Sequence, residues 1–250
     1  MMDFFDSIGD VLFLDIETAS LTSSFDELDS RLKEEWIKKE KIIQKEDPNF
    51  KPGSLFFDRA GIYAEFGQVI SIGVGYFQRN KKDNKLTFRS KVFSDPEEKE
   101  LLLDFKALLD KKKWTLCAHN GKEFDFPYLS RRMLIQRIPL SEALQIAGKK
   151  PWEVRHLDTL ELWKFGDYKH YTRLELLASV FGIPSSKDDL DGSQVNTTFH
   201  LENDIDKINK YCLRDVEVTA RVYLAMHPQL DEMEIDFIHL ENSKKDNEKK

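Results

Sequence analysis

The chain has 250 residues, with 38 Lys or Arg against 45 Asp or Glu, for a formal net charge of −7. Its 40% hydrophobic content, with 18 Phe, 7 Tyr and 4 Trp, can bury a large core and excludes a disordered chain. No run approaches roughly 20 uninterrupted apolar residues, the start MMDFFDSIGD is acidic where a secretory leader is basic, and Cys117 and Cys212 make neither a disulfide framework nor a zinc set. The expectation is a cytoplasmic α/β protein with no membrane partner.

In chain order, Val11 to Ile16 is a short apolar run suited to a buried strand. From Phe25 to about Glu46 the pattern turns helical, with Phe25, Leu28, Leu32 and Trp36 spaced 3, 4 and 4 apart, until Pro48, Pro52 and Gly53 break it. Gln68–Phe77 reads as a strand, Asn80–Asn84 as a polar turn, and Leu86–Phe93 as the returning strand of a hairpin. Asp95-Pro96-Glu97 opens a helix to about Asp110. Trp114–Ala118 is a strand, Pro127–Gln136 a helix, and Val154–Leu157 a further strand. Thr172 and Glu175 have capping-box spacing for a helix ended by Gly182 and Pro184, and Asn203 caps a last helix running to Pro228. This order predicts a mixed central sheet with helices on both faces. One domain over residues 1–242 is expected, with a helical insertion at about 22–66 and a charged flexible tail at 243–250.

Four carboxylates stand in places that cost energy. Asp15 and Glu17 are two apart on a strand, so they share a face with Cα atoms roughly 6.6 Å apart. Two carboxylates so placed repel unless a cation lies between them, the alternative being a strand that ends at Asp15 with both acids solvated. Asp125 sits between a strand and a helix, where α/β proteins bind ligands and also where an Asp caps a helix. Asp215 falls on the apolar stripe Ile208, Tyr211, Asp215, Val218, Val222, with Tyr211 one turn before it. A carboxylate on such a stripe is expensive unless paired or metal-bound. Oxygen donors without a Cys/His cluster suit two Mg²⁺ or Mn²⁺ ions, which in phosphoryl-transfer sites clamp the attacking and leaving oxygens.

These residues carry a family resemblance. Phe13-Leu-Asp15-Ile-Glu17-Thr18, then Asn120-Gly-Lys-Glu-Phe124-Asp125-Phe-Pro127-Tyr128-Leu129, then Tyr211-Cys-Leu-Arg-Asp215 resemble the three exonuclease motifs of the DEDD superfamily. Tyr211 points to its DEDDy branch, and the chain is most similar to stand-alone proteins related to the exonuclease domain of family B DNA polymerases. The resemblance spans about Val11 to Met226 and includes His156–Leu162, Leu174–Pro184 and Asp188–Ser193. It implies a ribonuclease H-like fold and metal-dependent 3′→5′ removal of nucleoside 5′-monophosphates from single-stranded nucleic acid. Asp15, Glu17, Asp125 and Asp215 match the metal-binding positions, and Tyr211 matches the residue associated with the nucleophilic water. Thr18 matches a position near the terminal nucleotide and Asn120 one that orders the site by hydrogen bonding, and Thr18, Asn120 and Phe124 are the expected substrate-binding residues. DNA is the preferred partner. An exoribonuclease or oligoribonuclease is the second reading, and a catalytically silent nucleic-acid-binding module the third.

The negative balance would ordinarily oppose a polyanionic partner, but two bound divalent cations would add +4 locally. Phe56, Phe57, Tyr63 and Phe66 in the insertion are candidates to stack on bases, or simply pack the insertion. Arg131 and Arg132 are candidate phosphate contacts or a solvated face. Lys187–Gly192 fails as a calcium loop at both its first position, Lys187, and its twelfth, Thr198, and reads as an acidic turn. His119 and His156 read as structural, and the two cysteines as core thiols.

Overall fold

The computed structural model describes residues 8–45, 50–79, 85–167, 171–184, 190–227 and 235–240. The expected turn Asn80–Asn84, the helix end at Pro228, the tail at 243–250 and much of the Lys187–Gly192 turn lie outside the described residues.

The chain runs β1 (Val11–Ser20), α1 (Ser30–Gln44), α2 (Phe56–Arg59), β2 (Gly67–Arg79), β3 (Leu86–Phe93), α3 (Glu98–Leu109), β4 (Thr115–Ala118), α4 (Asp125–Ile135), β5 (Leu157–Asp158), α5 (Thr159–Lys164), α6 (Leu174–Val180), α7 (Val195–Thr197), a π-helical turn (Thr198–Glu202), α8 (Ile205–Ala225) and β6 (Ile235–His239). The six strands form one sheet in the order β5-β4-β1-β2-β3-β6. β1, β2 and β3 are antiparallel neighbours, while β4 and β5 run parallel to β1, and β6 runs parallel to β3.

Strand alternation sends side chains of β1 to opposite faces. Leu12, Leu14 and Ile16 join one core with Leu101, Leu102 and Phe105 of α3 and Phe126, Leu129 and Met133 of α4. Val11 and Phe13 join another with Val216, Ala220 and Tyr223 of α8. The second face also carries Asp15 and Glu17, so the sheet's own periodicity turns both acids toward α8.

A glycine decides how close α8 comes. A Cβ at Gly73 would lie 2.8 Å from Val216 Cγ2 and 3.0 Å from both the Cys212 carbonyl and its sulfur. Gly73 is the cross-strand partner of Asp15, so the bare backbone there lets α8 settle directly over the acid pair. One step along, β2 bulges: Glu17 pairs with Ser71 but Thr18 pairs with Val69, leaving Ile70 as the extra residue.

Between β1 and β2 the chain builds its own small core, with Trp36 and Phe56 fully buried and Leu28, Ala60 and Phe66 around them. Asp29 caps α1 by accepting from the Arg31 N–H, so that helix begins five residues later than the apolar spacing from Phe25 suggests. Phe56 and Phe66 are buried in this core and cannot stack on bases, whereas Phe57 and Tyr63 are half-buried.

Several local boundaries differ from the sequence reading. Asp204 caps α8 by accepting from Lys207 N–H, while Asn203 takes a left-handed conformation (φ 55°) that ends the π-helical turn. α6 begins after Arg173 with no side-chain cap, so Thr172 and Glu175 form no capping box. The strand expected at Val154–Leu157 is the two-residue β5, which leads straight into α5. Among the described residues, no helix is long and apolar enough to cross a membrane.

Candidate active site

The parallel strands β1, β4 and β5 present their C-terminal ends on one side of the sheet, and the acids gather there. Glu17 is buried and Asp15 half-buried, and oxygens of both lie within 4.8 Å of each other and of the Cys212 sulfur. Cys212 is fully buried, donates to the Asp15 backbone carbonyl at 3.4 Å and accepts from the Gly73 N–H at 3.1 Å. Cys117 is an inert core thiol, but Cys212 belongs to the acid cluster. Its position three residues before Asp215 on the same helix was the sequence signal for this.

Asp125 reaches the cluster by a different route. It is the first residue of α4 rather than its cap, is 4% exposed, and accepts from its own N–H and from Ile16 N–H. The pairing of β1 with β4 extends only to Phe13 and Cys117, so the Ile16 amide lies beyond the parallel ladder, where this carboxylate takes it up.

The loop that delivers Asp125 is held by a residue to which the sequence assigned no role. Asp158, 3% exposed, accepts from Asn120 N–H at 2.9 Å and Lys122 N–H at 3.1 Å while capping α5 through the Leu160 and Glu161 N–H groups. Asn120 turns the loop in a left-handed conformation (φ 63°), and its carbonyl accepts from the Glu123 and Phe124 N–H groups. An Asp followed by Thr-Leu-Glu at a helix start was the legible sign of Asp158.

Asp215, on α8, is half-buried and interacts electrostatically with Asp15, Glu17 and Asp125, and its carboxylate is hydrogen-bonded by the Tyr211 hydroxyl. The five residues Asp15, Glu17, Asp125, Tyr211 and Asp215 therefore meet in one site.

Burial and mutual charge raise the carboxyls of Asp15, Glu17 and Asp125. Burial, then the charges of Glu17, Asp215 and Asp125, holds Asp15 well above the usual carboxylate range. Burial, then Asp215 and Asp125, does the same to Glu17. Asp125 is pushed up to about 7, chiefly by burial, with hydrogen bonds from its own amide and Ile16 working against the rise. Asp15 Oδ2 is buried with no hydrogen-bond partner. A buried carboxylate oxygen with no hydrogen-bond partner among mutually repelling acids is a donor suited to a hard divalent cation, so the donor set fits Mg²⁺ or Mn²⁺. Tyr211 is also raised far above its ordinary value, by burial and by the charges of Asp215, Glu17 and Asp15, and stays protonated at any physiological pH.

The remaining expected residues are placed less directly. Thr18 hydrogen-bonds the Tyr128 hydroxyl, which itself donates to the Gly61 carbonyl at 2.8 Å. Phe124 is half-buried against the Tyr128 ring, 5.4 Å between centroids. Arg132 is not a phosphate contact: it is 3% exposed and forks onto Glu98 at 2.8 and 2.5 Å, whereas Arg131 is exposed. His156 is structural, its Nδ1 accepting from Leu116 N–H at 3.1 Å and its Nε2–H donating to the Ala143 carbonyl at 2.6 Å. A cavity of about 760 Å³ lies at the opposite ends of β1 and β4, lined by Asp10, Lys112, Trp114, Arg155 and others, away from the acid cluster.

A family model described as a predicted 3′–5′ exonuclease related to the exonuclease domain of PolB matches residues 62–245. The chain belongs to that family. Asp15 and Glu17 precede the matched stretch, so their place in the site rests on the geometry above. Among solved structures, the family B DNA polymerase from the hyperthermophilic archaeon Pyrobaculum calidifontis is similar at 16% identity and a TM-score of 0.53, over 88% of this chain and 24% of the polymerase. The chain thus spans about a quarter of that protein, and the likeness shows the fold, which is ribonuclease H-like.

Proposed function

We infer that the protein is a metal-dependent 3′→5′ exonuclease that hydrolyses phosphodiester bonds at the 3′ end of single-stranded nucleic acid, DNA in preference to RNA, and releases nucleoside 5′-monophosphates. The observation that carries this reading is the electrostatic coupling of Asp15, Glu17, Asp125 and Asp215 around a buried, unpartnered Asp15 oxygen. A silent binding module has no need of acids crowded at this cost.

Asp15, Glu17, Asp125 and Asp215 would hold two Mg²⁺ or Mn²⁺ ions, which when bound neutralise the phosphate and acidify the attacking water. Tyr211 cannot act as a base, because its proton is held too tightly. Its hydroxyl donates to Asp215 and keeps lone pairs free to accept from the attacking water, which suits it to orienting that water. The Asp158-braced loop sets Asp125, and Thr18, Asn120 and Phe124 are assigned to the nucleotide's side of the site. The preference for DNA rests on the relation to polymerase exonuclease domains.

The test is a 5′-labelled DNA and RNA oligonucleotide pair incubated with protein and Mg²⁺ or Mn²⁺, with EDTA and Asp15→Ala as controls. A descending ladder lost in both controls, and stronger on DNA, is expected. A stronger ladder on RNA moves the assignment to exoribonuclease, and strand binding without any ladder returns it to a binding module.

A further inference from the structure

The segment entering α6 is tied to the catalytic loop by His119. The imidazole Nε2–H donates to the Thr172 carbonyl at 2.8 Å, and Nδ1 lies 2.9 Å from Thr159 Oγ1. Burial holds His119 below its usual pKa, so a neutral ring with its proton on Nε2 makes this tie. Thr172 is thereby fixed, and its neighbours Tyr171 and Arg173 stand at the rim of the site on the Asp125 side.

Tyr171 is 61% exposed, and its ring meets the His119 ring edge-on, 6.4 Å between centroids at 69°. Partial burial, then the charges of Asp125 and Asp158, raises its hydroxyl above the ordinary value. Arg173, two residues on, is exposed, and its charge acts on the Tyr171 hydroxyl. Among the described residues it has no carboxylate partner. In a site dominated by acids, an exposed guanidinium beside an exposed ring is the pairing that holds one nucleotide: a π-face for the base and a cation for its phosphate.

We propose that Tyr171 and Arg173 form a nucleotide-binding rim, with the Tyr171 ring stacked on a base of the single strand and Arg173 on an adjacent phosphate. This rests on the exonuclease reading of the neighbouring acids. Stacking tolerates every base, so the rim selects for an unpaired base without selecting sequence, because a paired base within a duplex offers no free face.

The test is anisotropy of a fluorescein-labelled oligothymidylate in EDTA, where hydrolysis is blocked. Tyr171→Ala should weaken binding about 5- to 30-fold, as loss of one stacked base does. Tyr171→Phe and Tyr171→Trp should bind like the natural protein. Arg173→Ala should flatten the slope of log affinity against log salt by about one. Trp152→Ala, a 77%-exposed aromatic preceding β5 and away from the acids, is the control that should change nothing. Natural-like binding by Tyr171→Ala overturns the proposal, and so does a Tyr171→Phe as weak as the alanine variant, since the hydroxyl would then be the contact. These outcomes differ from failure of the exonuclease reading, which is the natural protein giving no metal-dependent ladder.

Discussion

The Gly73 N–H donates to the Cys212 sulfur at 3.1 Å, and a Cβ on Gly73 would stand 3.0 Å from that same sulfur. The hydrogen bond and the absent side chain together set the distance between α8 and the strand facing Asp15. Gly73→Ala must push α8 outward, because Val216 Cγ2 at 2.8 Å and the Cys212 carbonyl leave no room. We expect a loss of about 1–3 kcal/mol in urea unfolding, as for overpacked cores. Exonuclease rate should fall further than the unfolded fraction explains, since Asp215 moves with the helix. An unchanged unfolding midpoint together with an unchanged rate would contradict this.

Asp158 serves four backbone N–H groups, two in the loop before Asp125 and two in α5. Asp158→Ala removes a cap worth about 1 kcal/mol and leaves the loop amides unpaired, for a total of about 2–3 kcal/mol. Turnover should drop at least about tenfold through misplacement of Asp125, as for groups that orient metal ligands. Steady-state kinetics at saturating metal, beside calorimetry, would separate the two effects; full turnover would remove Asp158 from the positioning role.

Glu98 and Arg132 form a buried fork in which Glu98 Oε1 also accepts from the Val69 N–H at 2.8 Å, and Arg132 Nη1 donates to the Ala64 carbonyl at 2.8 Å. The pair therefore holds the β2 bulge and the end of the preceding segment. Arg132→Met should cost about 3–5 kcal/mol by stranding Glu98, and Glu98→Leu combined with Arg132→Met should cost less than the sum of the single changes. Additive costs in a double-mutant cycle would refute this coupling.

The raised carboxyls make stability depend on pH with a definite sign. Asp15, Glu17 and Asp125 bind protons more tightly folded than unfolded, so their contribution is complete below the unfolded pKa of about 4. It is lost as pH rises through the folded values, near 7 for Asp125. The metal-free protein should therefore melt at a lower Tm at about pH 8 than at about pH 5, through this site. Mg²⁺ or Mn²⁺ should raise Tm more at the higher pH, where the acids are ionised. Scanning calorimetry at both pH values with and without metal checks this. A metal shift of equal size at both would show that these carboxyls are not the ligands.

Much of the architecture was legible because it depends on local pattern. The β3 strand matched residue for residue, and β2, α3, β4 and α4 fell within two residues of their expected bounds. β6 was not foreseen: it is short, sits at the sheet edge and is largely exposed, so its pattern shows little apolar alternation. The cap expected at Asn203 falls instead on Asp204: both residue types cap well, and Asn203 is taken up in ending the π-helical turn. Arg132 was indistinguishable from Arg131 until Glu98, 34 residues away, was seen against it.

Local spacing is enough to mark which acids are anomalous. Spacing of two on a strand puts Asp15 and Glu17 on one face, and spacing of four on a helix puts Tyr211 beside Asp215, because those periods are properties of the backbone. That these faces meet depends on contacts made across the fold. Asp125 reaches Ile16 where the parallel ladder runs out, α8 comes down onto Gly73 for want of a side chain, and Asp158 gathers four amides from two segments. Each is a contact between residues distant in sequence, fixed by steric fit and by the need of buried polar groups for partners, and neither is written in a local pattern.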